Sequence, residues 1–276
     1  MRFQNKQKTT SAGRFGASVM AEMKENKKTF AVYVVLRLLV AAMLVLQVFN
    51  GNFENVFLCV LTLALFLAPA ALQTVFKVDF PSPLEIIILI FIFSAEILGE
   101  ISDFYGKFRY WDTVLHTING FLCAAIGFSL VDILNQNDRF HMELSPLFVA
   151  IVAFCFSMTI GVLWEFFEFF MDWCFGLDMQ KDTFIGTINS VALSPVKGEI
   201  LSIKGIEHID VNGVGVPGYL DIGLIDTMAD LLVNFIGAFV FSFVGYFYIR
   251  NRRKSSIIEG FVPRRKPVRK TLQRED

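Results

Sequence analysis

Six apolar stretches, each long enough to cross a bilayer as a helix, constrain this chain more than anything else in it. A hydrocarbon core of about 30 Å requires about 20 apolar residues at a rise of about 1.5 Å each. Residues 29–49, 55–76, 84–102, 112–135, 147–172 and 224–249 meet that requirement. They are separated by NGNFEN, a break at Pro81 and Pro83, DFYGKFRYW, the polar NQNDRFHMELSP, and a long insert at 173–223. Only 18% of the 276 residues are charged, against about 25% in soluble domains, which argues against an ordinary soluble enzyme and excludes a disordered chain. The expected fold class is an all-α polytopic membrane protein, a bundle of about six transmembrane helices. The first run follows 28 mostly polar residues without a small-residue cleavage site and reads as an anchor, not a removed signal peptide.

The net charge of −1 conceals an asymmetry. Residues 1–28 carry seven Lys/Arg against two acids, and residues 250–276 carry ten against three. The intervening body holds eight basic and 21 acidic residues. Basic flanks mark the cytoplasmic side, and an even number of spans returns the chain to the side where it began. Both termini are therefore expected in the cytoplasm of a bacterial-type plasma (inner) membrane, with 173–223 outside. Within that insert, Val/Ile alternation punctuated by Gly, Pro and Asn212-Gly213 predicts a small β-hairpin element. The four cysteines, Cys59, Cys123, Cys155 and Cys174, have no metal-type spacing and read as small buried residues.

An ionisable residue inside a span costs about 2.5–3.5 kcal/mol on insertion scales, so its position informs. Span three ends with Glu96, Glu100 and Asp103; span four begins with Asp112, His116 and Asn119. Span five ends with Glu165, Glu168 and Asp172; span six begins with Asp226, Asp230 and Asn234. Spacings of three, four, seven or eight place each set on one helical face. With the expected topology all four faces occupy the outer third of the bilayer and can converge on one outward-open cavity. Asp103, Asp112, Asp172 and Asp226 border water and also fit as helix-end groups. Glu96, His116, Glu165, Glu168 and Asp230 lie deeper and are the stronger functional candidates.

So many carboxylates cannot all ionise together without shared protons, a basic partner or a bound cation. Arg37, near mid-depth in span one, could supply the second, or snorkel to the cytoplasmic headgroups. A hard divalent ion (Mg, Mn, Ca or Zn) suits a set in which oxygen dominates; its expected ligands are Asp112, His116, Glu165, Glu168 and Asp230. No nucleotide or redox cofactor is expected. Asp178 and Asp182 in GLDMQKDT, just beyond span five, are further candidates to line the site. DTVLHTING at 112–120 and DTMADLLVNFIG at 226–237 also share an Asp-Thr start and a downstream Asn and Gly, in the manner of a parallel repeat.

WDTVLHTINGF, LWEFFEFFMDW, GLDMQKDT and IDTMADLLVNFIGA together resemble the YjdF-type family of bacterial inner-membrane proteins. In that family an Asp-x3-His-x3-Gly helix, a Glu-x2-Glu helix and an Asp-x3-Asp helix start occur in this order, which here covers roughly 96–240. More remotely, the pattern is similar to VanZ-like membrane proteins, whose last element is matched by Asp230, Asn234 and Gly237; the insert before Asp226 departs from it. The resemblance implies a membrane-embedded polar site and does not specify a reaction.

Three functions compete. The first is an enzyme acting from outside on a cell-envelope or lipid-linked substrate, with Glu165 and Glu168 as ligands or an acid/base pair and His116 as ligand or proton shuttle. No G-x-S-x-G or HExxH motif is present, so metal-assisted hydrolysis or transfer is the reaction class expected. The second is a proton- or cation-coupled transporter, disfavoured because the inner halves of spans four to six are apolar except for Asp132. The third is a membrane scaffold, which leaves the buried acids without a use. Membrane lipids are expected partners and nucleic acid is not.

Overall fold

The computed structural model describes residues 27–75, 78–135, 144–251, 259–262 and 264–265. Most of both basic tails lies outside the described residues. Helices α1 (Lys27–Asn50), α2 (Phe53–Leu65) and α3 (Ala68–Val75) are followed by the two-residue strand β1 (Val78–Asp79) and by α4 (Ser82–Phe93). A π-helical segment (Ser94–Ile101), the single turn α5 (Phe104–Lys107), α6 (Trp111–Asn135) and α7 (Pro146–Phe175) come next. The insert contributes β2 (Thr183–Ile185), β3 (Thr187–Ser190), β4 (Leu201–Lys204), β5 (Ile209–Val211), β6 (Val214–Val216) and β7 (Tyr219–Asp221). Helix α8 (Leu224–Arg250) and β8 (Arg264–Arg265) complete the described chain.

Among the described residues, five helical stretches are long and apolar enough to cross a membrane: Lys27–Asn50, Phe53–Val75, Trp111–Leu134, Pro146–Phe175 and Leu224–Arg250. They fall on five of the six expected spans. At the remaining position, 84–102, the chain is a 12-residue α-helix continued by eight residues of π-helix. Pro83 sits in the first turn of α4, where a missing N–H leaves no hydrogen bond broken. The wider turn shows in the Ser102 amide donating to Ile97 O at 3.0 Å, five residues back.

The chain divides into two compact units. The first comprises Met1–Trp111, Phe128–Val149 and Val244–Asp276. Its apolar core joins Leu36 and Val40 of α1, Cys59 of α2, Phe66, Leu89 of α4 and Ile97 of the π segment. Trp111 donates its indole N–H to Ser94 O at 3.3 Å and packs edge-on against Phe104. The Arg37 guanidinium lies 4.1 Å over the Tyr33 ring, a cation–π contact. Glu96 is half-buried, while Glu100 and Asp103 are exposed.

The second unit comprises Asp112–Gly127 and Ala150–Phe243, that is, the first part of α6, most of α7, the insert and most of α8. Here α6 and α8 approach through glycine. A Cβ on Gly120 would stand 2.1 Å from Asn234 O, and one on Gly237 would stand 2.0 Å from Thr117 O. Such close approach of backbones is the packing that small residues permit in an apolar solvent. The insert folds as three antiparallel two-stranded ladders. The β5–β6 ladder turns through Asn212 (φ 54°) and Gly213 (φ 90°), which is the Asn-Gly hairpin expected from sequence. The β2–β7 ladder pairs Thr183 with Asp221 and so brings the two ends of the insert together.

Candidate metal centre

The site forms within the second unit, where the start of α6, the end of α7 and the start of α8 meet. His116 is its centre. It is buried, and its two ring nitrogens face different partners. Nε2 lies 3.5 Å from Asp112 Oδ1 and 3.9 Å from Asp230 Oδ2; Nδ1 lies 3.8 Å from Glu165 Oε1. Asp112 precedes His116 by one helical turn, so α6 alone sets that pair. Asp230 reaches it from α8, and the glycine crossing one turn further along holds those two helices together.

Donor atoms of Asp112, His116 and Asp230 all lie within 4.8 Å of one another. Two carboxylates and an imidazole at that spacing can converge on one divalent cation, and three protein ligands leave coordination positions for water or substrate. The Asp112 and Asp230 carboxyl groups both approach His116 Nε2, and carboxylates gathered at one point need a proton or a cation to offset their repulsion.

Glu165 is the least satisfied member. It is 4% exposed, and neither of its oxygens has a hydrogen-bond partner. Thr227 of α8, whose hydroxyl accepts from the Gln180 side chain, is a polar neighbour. Glu168, also buried, accepts from the Trp164 indole N–H at 2.8 Å, one turn back on α7. The opposite face of this helix end carries the exposed rings of Phe166, Phe169, Phe170 and Trp173, an inside-out distribution suited to lipid.

The remaining expected site residues divide by role. Asp172 accepts from the backbone amides of Met179 and Gln180, at 2.6 and 2.9 Å. Asp226 accepts from the Lys181 amide at 2.8 Å, and the Gln180 side chain donates to the Thr227 hydroxyl. These four bonds strap residues 176–182 across the ends of α7 and α8. Asp172 and Asp226, read from the sequence as cavity-lining or as helix-end groups bordering water, hold the loop through these bonds. Asp178 and Asp182 are exposed on that loop. Asn119 and Asn234 form a layer below His116: Asn119 Nδ2 donates to Asn234 Oδ1 at 3.4 Å, and Asn234 Nδ2 points to Met158 Sδ at 3.6 Å. Glu96, Glu100 and Arg37 belong to the first unit. Gln180 and Thr227 were missed, because a lone Gln in a loop and a Thr in an apolar helix give no signal until the fold joins them.

Residues 32–251 match the model of a family described as predicted membrane protein, DUF2238. The chain belongs to this family. The YjdF-type resemblance read from the sequence falls within it. A protein of Thermotoga maritima described as "Uncharacterized protein" is 27% identical over 105 residues, which cover 38% of this chain and 52% of that relative. The chain thus spans about half the length of the relative it matches. No solved structure matches it.

Proposed function

We propose that this DUF2238 protein is a metal-dependent hydrolase or transferase of the plasma membrane, acting on a lipid-linked or other cell-envelope substrate at the Asp112–His116–Asp230 centre. The observation that carries the reading is the convergence of these three ligand groups beside a buried, unpartnered Glu165. A divalent ion in such a centre supplies Lewis-acid polarisation and an acidified water. Asp112, Asp230 and His116 Nε2 would hold it. Glu168, oriented by the Trp164 indole, presents a second carboxyl oxygen for proton transfer to or from a substrate. The exposed aromatic face of α7 adjoins lipid, through which an acyl- or isoprenoid-linked molecule would arrive sideways.

In this reading α4 and its π-helical continuation serve as the sixth span, both basic tails are cytoplasmic, and the insert is outside. The order Asp-x3-His, acidic helix, Asp-x3-Asn supports a remote VanZ-like relationship and a role at the cell envelope. The transport reading draws on Asn234, fully buried below the site. Its side chain is engaged by Asn119 and Met158, which argues against its use as a free relay group.

Metal analysis of the full chain purified in detergent tests the reading, together with lipid extracts from cells carrying the wild type or Asp230→Asn. Near-stoichiometric divalent metal lost in the variant, with a lipid-linked species accumulating, supports it. Absence of metal together with an unchanged lipid profile would overturn it.

A further inference from the structure

Glu165 was expected among the metal ligands, but its position points elsewhere. One imidazole presents its two nitrogens in nearly opposite directions, and only one can bind a given ion. In His116 the nitrogen that faces Asp112 and Asp230 is Nε2. The nitrogen that faces Glu165 is Nδ1. An ion held by Asp112, Asp230 and Nε2 therefore lies on the far side of the ring from the Glu165 contact. Ligation at Nε2 leaves Nδ1 as an N–H, with a hydrogen to donate. Glu165 has the complementary need: it is 4% exposed, and both oxygens lack a donor. A buried carboxylate in that state is costly, and one charge-assisted hydrogen bond recovers much of the cost. The 3.8 Å separation has only to shorten by just under 1 Å to reach bonding distance.

We infer that Glu165 is a positioning residue that accepts a hydrogen bond from His116 Nδ1, fixing the tautomer and ring orientation that present Nε2 to the cation. It would form the outer member of a carboxylate–histidine–metal relay and contribute no bond to the ion. This rests on the metal centre proposed above and divides its residues into Asp112, His116 and Asp230 on the ion and Glu165 behind the imidazole.

The test combines two measurements on the full-length protein in detergent: equilibrium dialysis with Mn2+ or Zn2+ alone, and 15N spectra of histidine-labelled protein with the His116 signals assigned by His116→Gln. Asp112→Asn and Asp230→Asn are expected to weaken metal binding more than about 100-fold. Glu165→Ala should weaken it about 10- to 100-fold, and Glu165→Gln, which keeps an acceptor oxygen, should restore it to within a few-fold of wild type. Nδ1 of His116 should resonate as a protonated nitrogen in wild type and Glu165→Gln, and shift in Glu165→Ala. Loss in Glu165→Gln as large as in Asp230→Asn would make Glu165 a ligand and overturn the inference, as would an unprotonated Nδ1 in the wild type. The Nδ1 signal is read with or without metal. A wild type that binds neither ion thus sinks the metal centre, while the histidine spectrum still decides the Glu165 pairing.

Discussion

Gly120 of α6 faces the backbone carbonyl of Asn234 on α8 so closely that a Cβ built on it would stand 2.1 Å from the oxygen. No rotamer change relieves a clash with backbone, so Gly120→Ala must separate the helices. A loss of about 2–3 kcal/mol is expected, the upper part of the range for overpacking. Gly51, at φ +70° with nothing near its Cβ position, should cost only about 1 kcal/mol as alanine. Thermal unfolding of both variants in the same detergent measures the difference, and equal losses would contradict the close crossing.

Chelation supplies a second test. An ion bound only to the folded protein stabilises it by about 2.7 kcal/mol when its free concentration is 100 times its dissociation constant. EDTA should lower the melting temperature of the wild type and leave Asp230→Asn unchanged. A melting temperature indifferent to chelator, in protein that contains no metal, would promote a shared proton between Asp112 and Asp230 in place of the cation.

Asp172 binds the Met179 and Gln180 amides through both carboxylate oxygens. Hydrogen bonds to a charged group contribute about 1.5–3 kcal/mol each when buried, and less at a half-exposed site. Asp172→Ala should speed amide hydrogen exchange at 179–181 at least tenfold while leaving the middle of α7 protected. Unchanged exchange there would mean that the strap is held by other contacts.

Reporter fusions address orientation. A fusion within 186–222 should be active only outside the cytoplasm, and one after residue 260 only inside. An insert reporter active in the cytoplasm would reverse the site and remove the envelope substrate from consideration.

Asp182 lies outside the spans, and its pKa is raised above the ordinary aspartate value, first by partial desolvation and then by the charges of Asp178, Asp221 and Asp172. A folded-state pKa above the unfolded one gives stability that is present below the unfolded value and is lost as pH rises through the folded value. Asp182→Asn should therefore flatten the loss of stability as pH rises out of the acidic range, by a small amount because the group is exposed. A melting curve compared with wild type at several pH values checks the sign; a destabilised variant at neutral pH would refute it.

The apolar runs made five of the helices legible, since length and hydropathy alone define them, and Asn212-Gly213 announced its hairpin. The π-helical turn of Ser94–Ile101 was not legible, because it depends on a one-residue slip in hydrogen-bond register that leaves composition unchanged. Spacing put Asp112, His116, Glu165 and Asp230 on helical faces. It could not say that Asp226 would spend its carboxylate on the Lys181 amide, a bond between residues 45 apart in sequence. Which nitrogen of His116 meets which carboxylate is likewise a matter of ring orientation, set by packing on three helices at once.

The glycine crossing has one more consequence. Asp112 and Asp230 stand on different helices, so the gap between them is gauged by the contact of Gly120 and Gly237 with the opposing backbones. An aperture held open at a fixed width discriminates by ionic radius. Small, strongly polarising cations such as Mg2+ or Zn2+, with metal–oxygen distances of about 2.0–2.2 Å, fit a narrow gauge, and Ca2+, at about 2.3–2.6 Å, requires a wider one. Residues that never touch the ion would thus choose it, and enlarging the residue at position 120 should shift preference toward the larger cation before it abolishes binding.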